Sequence, residues 1–373
     1  MKKIVLTGGG TAGHVMPNIA LLPYLREKGY EIHYIGGKGG IEQDILAGYP
    51  DVTYHAIDTG KLRRYHSTDN IKDVFKVAKG NFECRKILKQ LKPDVIFSKG
   101  GYVALPVVTS SKGMRIPVLT HESDITPGLA NRIIARTAEK VLTTFPETAA
   151  AIEKGKGLYV GAPIRADLFE GDRERGLAFL GLSGEKPVLA VMGGSKGARF
   201  VNETIRGNLE ALCAKFDIVH MCGKDNVEDS ERTKAFADSY RQYEFIGKEL
   251  PDVLAATDVV VTRGGSNSIH EFAALAKPML IIPLSKQASR GDQVLNANSF
   301  EKRGLAVKLE EEELTSEKFL AALSGLYADR EAYIARMKDA GFFNATERIF
   351  ELIEEAAARG KRPLFGKRKS QDF

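Results

Sequence analysis

The sequence predicts an α/β protein with two doubly wound parallel sheets in tandem. Short β-branched runs alternate with helical stretches, which argues for parallel strands covered on both faces. The alternation then restarts after a polar, turn-rich segment between Pro163 and Lys186. A chain of 373 residues with 43% hydrophobic content also suffices for two ordinary cores. In the first half the strand candidates are "KKIVLT", "EIHYIG", "DVIFS", "PVLTH", "KVLTTF" and "LYVG"; in the second they are "VLAVMGGSKGA", "DIVHMCGK", "YEFIGK", "DVVVTRGGS", "PMLIIPL" and "GLAVKLE". The expected domains are therefore residues 1–163 and 164–340. Glu331 to Ala358 reads as two helices with no strand after them, so the part within 341–358 is expected to pack back on the first domain. The tail 359–373, "RGKRPLFGKRKSQDF", is basic and expected to be loosely ordered.

A formal charge of +6 favours anionic partners, but on so long a chain the excess is modest and speaks to association, not to fold. Cys84, Cys213 and Cys222 are odd in number and lack Cys-x-x-Cys spacing, so neither a disulfide framework nor a zinc site is indicated, and a reducing cytoplasm fits. Only Ile-Val-Leu separates Lys2 and Lys3 from the first glycines, so no secretory leader is expected. No run approaches the roughly 20 apolar residues of a membrane span.

The stretch "TGGGTAGHV", residues 7–15, fits G-x-G-x-x-G through Gly8, Gly10 and Gly13, the dinucleotide fingerprint when a strand leads in and a helix leads out. A nicotinamide site also needs an acid about 20 residues on, at the end of the second strand. There the sequence has Gly36, Gly37 and Lys38, so that reading lacks its ribose contact. Paired glycines recur in "SKGGYVALP", "MGGSKGAR" and "TRGGSNSIHEF", each after a strand and before a helix. One such turn is more often structural than functional. Four of them at strand C-termini argue for anion sites at helix N-termini, arranged so that two domains face a cleft and a substrate with a diphosphate in each half is held there.

"GGGTAGHVMPNIALLPYL", "SKGGYVALPV", "HESDITPGLANR", "VGAPIR", "MGGSKGAR", "RGGSNSIHEF" and "RGDQVLNAN" occur in order over about 290 residues, and together they resemble the MurG family. The resemblance implies a GT-B fold, two Rossmann-like doubly wound domains facing a cleft. The implied enzyme is an inverting glycosyltransferase that moves N-acetylglucosamine from UDP-N-acetylglucosamine to the C4 hydroxyl of undecaprenyl-diphospho-N-acetylmuramoyl-pentapeptide, lipid I, giving lipid II for peptidoglycan synthesis. It implies the donor in the second domain, held by Arg165, Ser195, the Ile246 backbone toward uracil, Ser266, Asn267, Glu271 on the ribose and Gln293 toward the sugar. Thr11, Ala12 and Gly13 bring first-domain backbone to the donor. Gly100, Gly101, Tyr102, His121 and Glu122 are the implied acceptor and diphosphate contacts. Glu271 keeps a rival explanation, because Ser268 to Glu271 also fits a capping box, and Ser195 fits an N-cap. Asp124 and Asp292 depart from the family pattern, which has amides there; a carboxylate accepts from sugar hydroxyls but cannot donate.

His14 is the first candidate for the base that takes the acceptor proton, since an imidazole near its unperturbed pKa of ~6.5 is available in neutral form; Asp124 is the second. Hydrogen bonding to the glycine turn or the acceptor diphosphate is the bland alternative for His14. The sequence has no Asp-x-Asp and no clustered His or Cys, so no obligate metal is expected, while magnesium accompanying the diphosphates stays open. Ile71, Val74, Phe75 and Phe82 recur at helical spacing beside Lys72, Lys76, Lys79, Arg85 and Lys86, with Arg63 and Arg64 as helpers. That face suits an anionic membrane surface, and equally a crossover helix covering its own sheet. The expected place is thus peripheral, on the cytoplasmic face of the cell membrane, with no nucleic-acid partner. The rivals are another glycosyltransferase or an epimerase of the same fold, a membrane-surface scaffold and a nicotinamide oxidoreductase.

Overall fold

The computed structural model describes residues 1–59, 69–153, 155–194, 198–285, 291–342 and 344–360, with the side chains of 69–78 and 360 outside the description. Ser195, Arg63 and Arg64 fall outside the described residues, as do the side chains of Ile71, Val74 and Phe75. Two compact units emerge: unit 1 comprises Met1–Glu122, Pro127–Pro163 and the chain from Ala345, and unit 2 comprises Ser123–Thr126 and Ile164–Asn344. The chain passes from unit 1 to unit 2 after Glu122 and after Pro163, and back after Thr126 and after Asn344. It differs from the sequence expectation in giving the four residues Ser123–Thr126, and 341–344, to unit 2.

Unit 1 contains β1 (Lys3–Thr7), β2 (Glu31–Gly37), β3 (Thr53–Ile57), β4 (Val95–Ser98), β5 (Val118–Glu122), β6 (Lys140–Thr143) and β7 (Gly157–Tyr159). They form one parallel sheet in the order β3-β2-β1-β4-β5-β6-β7. Unit 2 contains β8 (Val188–Met192), β9 (Asp217–Met221), β10 (Tyr240–Tyr243), β11 (Val259–Thr262), β12 (Met279–Ile281) and β13 (Val307–Lys308), parallel and ordered β10-β9-β8-β11-β12-β13. Both sheets reverse winding direction once, between β1 and β4 and between β8 and β11. In such sheets ligands bind beyond the strand C-termini at that switch point. All four glycine turns lie there, two per unit.

The central strands are apolar without interruption because helices cover both faces: Ile4, Val5, Leu6, Val95, Ile96 and Phe97 are fully buried. One face of the first sheet carries Leu21, Leu22 and Leu25 together with Ile349, Phe350 and Ile353 from the returning helix Thr346–Gly360. The other face carries Cys84 and Leu88 of helix Asp69–Leu91, with Val107, Val108 and Ile134. In unit 2, Val201, Ile205, Phe319, Leu323 and Leu326 pack against Leu189, Val191 and Val261.

Two strands depart from the sequence reading, and both are sheet edges. β3, "TYHAI", was not among the expected strands; only Ile57 in it is buried. β10 is "YRQY", three residues earlier than the expected "YEFIGK". An edge strand has one neighbour and less covered surface, so its sequence lacks the apolar run that marks a central strand.

Candidate functional site

In unit 1 the end of β1 turns through Gly8 and Gly10, both at positive φ (157° and 84°), into a short 3-10 helix, Ala12–His14. β4 ends beside it, with Lys99 N donating to Thr7 O at 2.8 Å, and turns through Gly100 and Gly101 at φ 82° and 81°. The structure thereby brings Thr11, Ala12, Gly13 and His14 together with Gly100, Gly101 and Tyr102 at the switch point. His14 N donates to Thr11 O, and His14 Nδ1 lies 3.1 Å from Lys99 O. A carbonyl can only accept, so Nδ1 carries the proton and, in the neutral ring, Nε2 carries the lone pair. A base needs that tautomer fixed, and the backbone of the second turn fixes it.

Lys99 and His121, 1% and 0% exposed, form a buried pair behind this carbonyl. His121 Nε2 donates to Gly161 O at 3.0 Å, which leaves Nδ1 to accept from Lys99 Nζ at 2.6 Å. His121 is thus engaged in the framework. Glu122 is engaged too: its Oε2 accepts from Asn131 Nδ2 at 2.6 Å, and Asn131 Oδ1 accepts from Gly101 N at 3.2 Å. Glu42 completes the pattern by accepting from Gly10 N at 3.1 Å. Both turns therefore commit a glycine N–H to a buried side chain, where the sequence reading expected donors turned toward an anion. The Tyr102 ring lies over Gly10, and burial, then the nearby Glu42, raises its phenol pKa. A cavity of about 350 Å³ in unit 1 is lined by Glu122 and Asn131 with Arg132, Arg136 and Ile152, but by none of the turn glycines nor His14.

In unit 2 the described part of the first turn, Gly193 and Gly194, precedes helix Arg199–Gly207, and Gly264 and Gly265 precede helix Ser266–Ala274. Neither helix receives a hydrogen bond from the side chain of its N-cap residue. The second helix starts at Ser266, two residues before Ser268, so the capping-box explanation of Glu271 does not hold: Glu271 sits in the second turn. Its carboxyl is pushed up to about 7 by burial, against the pull of Arg165 and with a further push from Asp167. Arg165 Nη1 lies 3.5 Å from Asp167 Oδ2. Arg165 and Glu271 thus share one electrostatic neighbourhood.

Ser266 Oγ donates to Ser123 O, and Ser123 Oγ donates to Asn267 Oδ1 at 3.0 Å. Asn296 joins the same turn, donating from Nδ2 to both Asp124 Oδ1 and Gly264 O at 3.1 Å and accepting from Ile125 N. Asp124 therefore packs on the Gly264 turn within unit 2. Ile246 is 2% exposed, so the residue as a whole is buried. Gln293 Oε1 accepts from Leu284 N at 2.9 Å, so its amide nitrogen is the donor end of the side chain. Asp292 opens helix Asp292–Lys302, where an acid suits the positive end of the helix dipole. Beneath the Gly264 turn, Arg263 pairs with Glu311 at 2.6 Å and donates to Ile282 O. Outside both switch points, Phe82 on helix Asp69–Leu91 is 74% exposed.

Sequence reasoning missed Glu42, Lys99, Asn131 and the Arg263–Glu311 pair. Lys99 carried a signal, a lysine directly after a strand that is buried along its whole length. Glu42 carried little, since an acid in a first helical turn is common on dipole grounds alone.

Residues 4–143 match the model of the glycosyltransferase family 28 N-terminal domain, and residues 188–354 that of the family 28 C-terminal domain. A UDP-N-acetylglucosamine--N-acetylmuramyl-(pentapeptide) pyrophosphoryl-undecaprenol N-acetylglucosamine transferase of Clostridium tetani is 51% identical over 95% of this chain and 98% of its own. One of the transferases of that name in Bacillus anthracis is 51% identical over 95% of this chain and all of its own. Among solved structures, Acinetobacter baumannii MurG superposes with a TM-score of 0.74 at 24% identity, covering 95% of this chain and all of that one, a likeness of fold. The glycotransferase of kitacinnamycin gives 0.73 at 17%, over 95% of this chain and 99% of that one, again a likeness of fold. With both domain models matched in order and half of all positions shared with full-length relatives, the chain belongs to glycosyltransferase family 28, in its MurG group of N-acetylglucosamine transferases.

Proposed function

We propose that this enzyme transfers N-acetylglucosamine from UDP-N-acetylglucosamine to the undecaprenyl-diphosphate-linked N-acetylmuramoyl-pentapeptide. The observation that carries the reading is the 51% identity, over 95% of the chain, to transferases of that name. Unit 2 holds the donor through Arg165, Ser195, Ser266, Asn267, the Ile246 backbone, Glu271 on the ribose and Gln293 on the sugar, with Thr11, Ala12 and Gly13 adding backbone contacts. Unit 1 holds the acceptor near Gly100, Gly101 and Tyr102, with His121 and Glu122 shaping the turn from behind.

In the transfer, the acceptor C4 hydroxyl forms a bond to the anomeric carbon from the face opposite UDP, and configuration inverts. His14 Nε2 takes the hydroxyl proton as the bond forms. The bond from the anomeric carbon to the diphosphate oxygen breaks, and UDP leaves with the electron pair. Arg165 and the backbone N–H groups at the start of helix Ser266–Ala274 stabilise that developing charge, with preorganised dipoles as the larger part. Asp124 is the second candidate for the base. No protein-bound metal takes part in the proposal, and magnesium enters only with the diphosphates.

Among the described residues no helix is long and apolar enough to cross a membrane. The proposed route to the lipid acceptor is peripheral, on the cytoplasmic face, through Phe82 and the preceding turns of its helix with Ile71, Val74 and Phe75. Radiolabelled UDP-N-acetylglucosamine and the acceptor, presented in anionic vesicles, test the whole proposal. Label should pass to the lipid fraction and UDP should accumulate in equal amount; UDP-glucose should serve poorly. Phe82→Asp should reduce vesicle co-sedimentation while leaving UDP binding intact. Absence of labelled lipid with the matched acceptor overturns the substrate assignment.

A further inference from the structure

Glu42 lies outside the sequence reading, yet the first glycine turn is built around it. Helix Ile41–Leu46 starts directly after Gly40, and the side chain of its second residue reaches back over the end of β2. That side chain is 1% exposed. Its Oε2 accepts from Gly10 N at 3.1 Å and its Oε1 from Gly37 N at 2.8 Å. The same carboxylate fills the room that side chains would need on its neighbours. A Cβ on Gly9 would lie 2.5 Å from Glu42 Cδ, one on Gly40 2.5 Å from Oε1, and one on Gly36 2.9 Å from Cγ. The glycines of "TGGGTAGHV" and "YIGGKGG" thus make space for one buried acid, which ties the turn after β1 to the end of β2.

The tie matters because His14 follows four residues after Gly10, and the residue is held at two points, its backbone N–H on Thr11 O and its ring Nδ1 on Lys99 O. Lys99 follows the end of β4 and is bonded to β1 through Thr7 O, whereas Thr11 belongs to the glycine turn. Only a turn fixed against the sheet keeps both acceptors in register. Glu42 cannot reach a substrate itself, since it is enclosed and faces backbone donors with both oxygens.

We propose that Glu42 is a positioning residue for His14: by clamping the Gly9–Gly10 turn to β2 it fixes the imidazole whose Nε2 takes the acceptor proton. The inference rests on the proposed role of His14 as base, and the experiment separates the two. Steady-state kinetics on the full chain, with UDP-N-acetylglucosamine and the lipid acceptor, compare Glu42→Ala, Glu42→Gln, His14→Ala, the double variant Glu42→Ala with His14→Ala, and Leu46→Ala. Leu46 is a buried core residue of the same helix and takes no part in the hydrogen bonds to Gly10 and Gly37.

Loss of the clamp should lower kcat about 100-fold, the scale of a displacement near 1 Å, with the donor KM within about 2-fold of wild type. Glu42→Gln keeps the shape but turns an N–H toward one of the two glycine N–H groups, so about a 10-fold loss is expected, and it serves as the milder variant should Glu42→Ala unfold. Leu46→Ala should lower the melting temperature and leave kcat within about 2-fold. The double variant should be no slower than His14→Ala alone, because a clamp has nothing to position once the ring is gone. Multiplying effects in the double variant, an unchanged kcat in both Glu42 variants, or an equal kcat loss in Leu46→Ala would overturn the inference. Full turnover in His14→Ala removes the base assignment and the inference with it; collapse there beside normal Glu42 variants removes the inference alone.

Discussion

Glu42 in unit 1 and Glu271 in unit 2 are both carboxylates tucked beside a switch-point turn, and they differ in what holds them. Glu42 accepts two glycine N–H groups and is sealed from solvent. Glu271 lies one helical turn beyond Gly265, and among the described residues no side-chain hydrogen bond reaches it, so burial raises its carboxyl toward about 7. A satisfied buried acid braces structure; a half-buried one with a raised pKa is a group that a ligand can engage, and such groups concentrate at binding sites. The same contrast runs through the turns. In unit 1 Gly10 N and Gly101 N are committed to Glu42 and Asn131, so the turns carry a side chain, His14. In unit 2 the turn at Gly265 opens a nine-residue helix without an N-cap side-chain bond, the arrangement suited to an anion.

If unit 1 contributes chemistry and unit 2 contributes binding, substitutions in them separate kcat from KM. His14→Ala is expected to have the largest effect, lowering kcat by about 100- to 10,000-fold, the range for a lost general base, with the donor KM little changed. Initial rates over a donor titration check this, and a raised KM with intact kcat would move His14 to the binding side. Glu271→Ala should do the reverse, weakening UDP affinity about 10- to 100-fold by calorimetry, the value of a hydrogen bond to an ionisable group, with a smaller change in kcat.

The fold was legible where strands are central. Runs such as "IVL" in β1 and "VVV" in β11 are unbroken because parallel strands are covered on both faces, and a turn of glycines after each strand marks the switch point. β3 and β10 were illegible for the opposite reason, since Tyr54, His55, Arg241 and Gln242 look like loop until a neighbour's backbone pairs with them. At the candidate site, single motifs such as "GGGTAGH" and "RGGSNSIHEF" located the turns on which His14 and Glu271 were proposed to act. What the sequence could not convey was the hydrogen-bond direction. Whether Gly10 N faces a ligand or Glu42, 32 residues away, depends on how helix Ile41–Leu46 docks on β2, a contact with no local signature.

A glycine pair sharpens the contrast at the level of stability. Gly10 has φ 84°, and a Cβ there would stand 2.6 Å from the Tyr102 ring, so Gly10→Ala is expected to cost about 1–3 kcal/mol from backbone strain and overlap. Gly265 has φ −68° and a Cβ there would meet nothing within 4 Å, so Gly265→Ala should change stability by no more than about 0.5 kcal/mol. Denaturant titrations of the two proteins measure the difference. Equal losses would mean that the unit 2 turn is braced like the unit 1 turn, and the division of labour would lose its structural basis.

The smallest effect is a pH signature of Glu271. The folded carboxyl holds its proton up to about pH 7, while an unconstrained glutamate releases it near 4.5. Between those values the folded state binds more protons than the unfolded one, so this group lowers stability as pH rises through the window, and the full cost is present above it. Glu271→Gln carries no titrating proton. Its melting temperature should match wild type near pH 4 and exceed it by about 2–4 °C at pH 8, on the scale of 1 kcal/mol for a protein of this kind. Removing the neighbouring cation by Arg165→Ala should move the wild-type decline to lower stability at pH 8, because the guanidinium is what favours the charged form. Saturating UDP should narrow the gap between Glu271→Gln and wild type, since ribose hydroxyls donating to the carboxylate supply the partners that the protein withholds. A gap independent of pH would mean that Glu271 is already satisfied like Glu42, and the ribose assignment would fall with it.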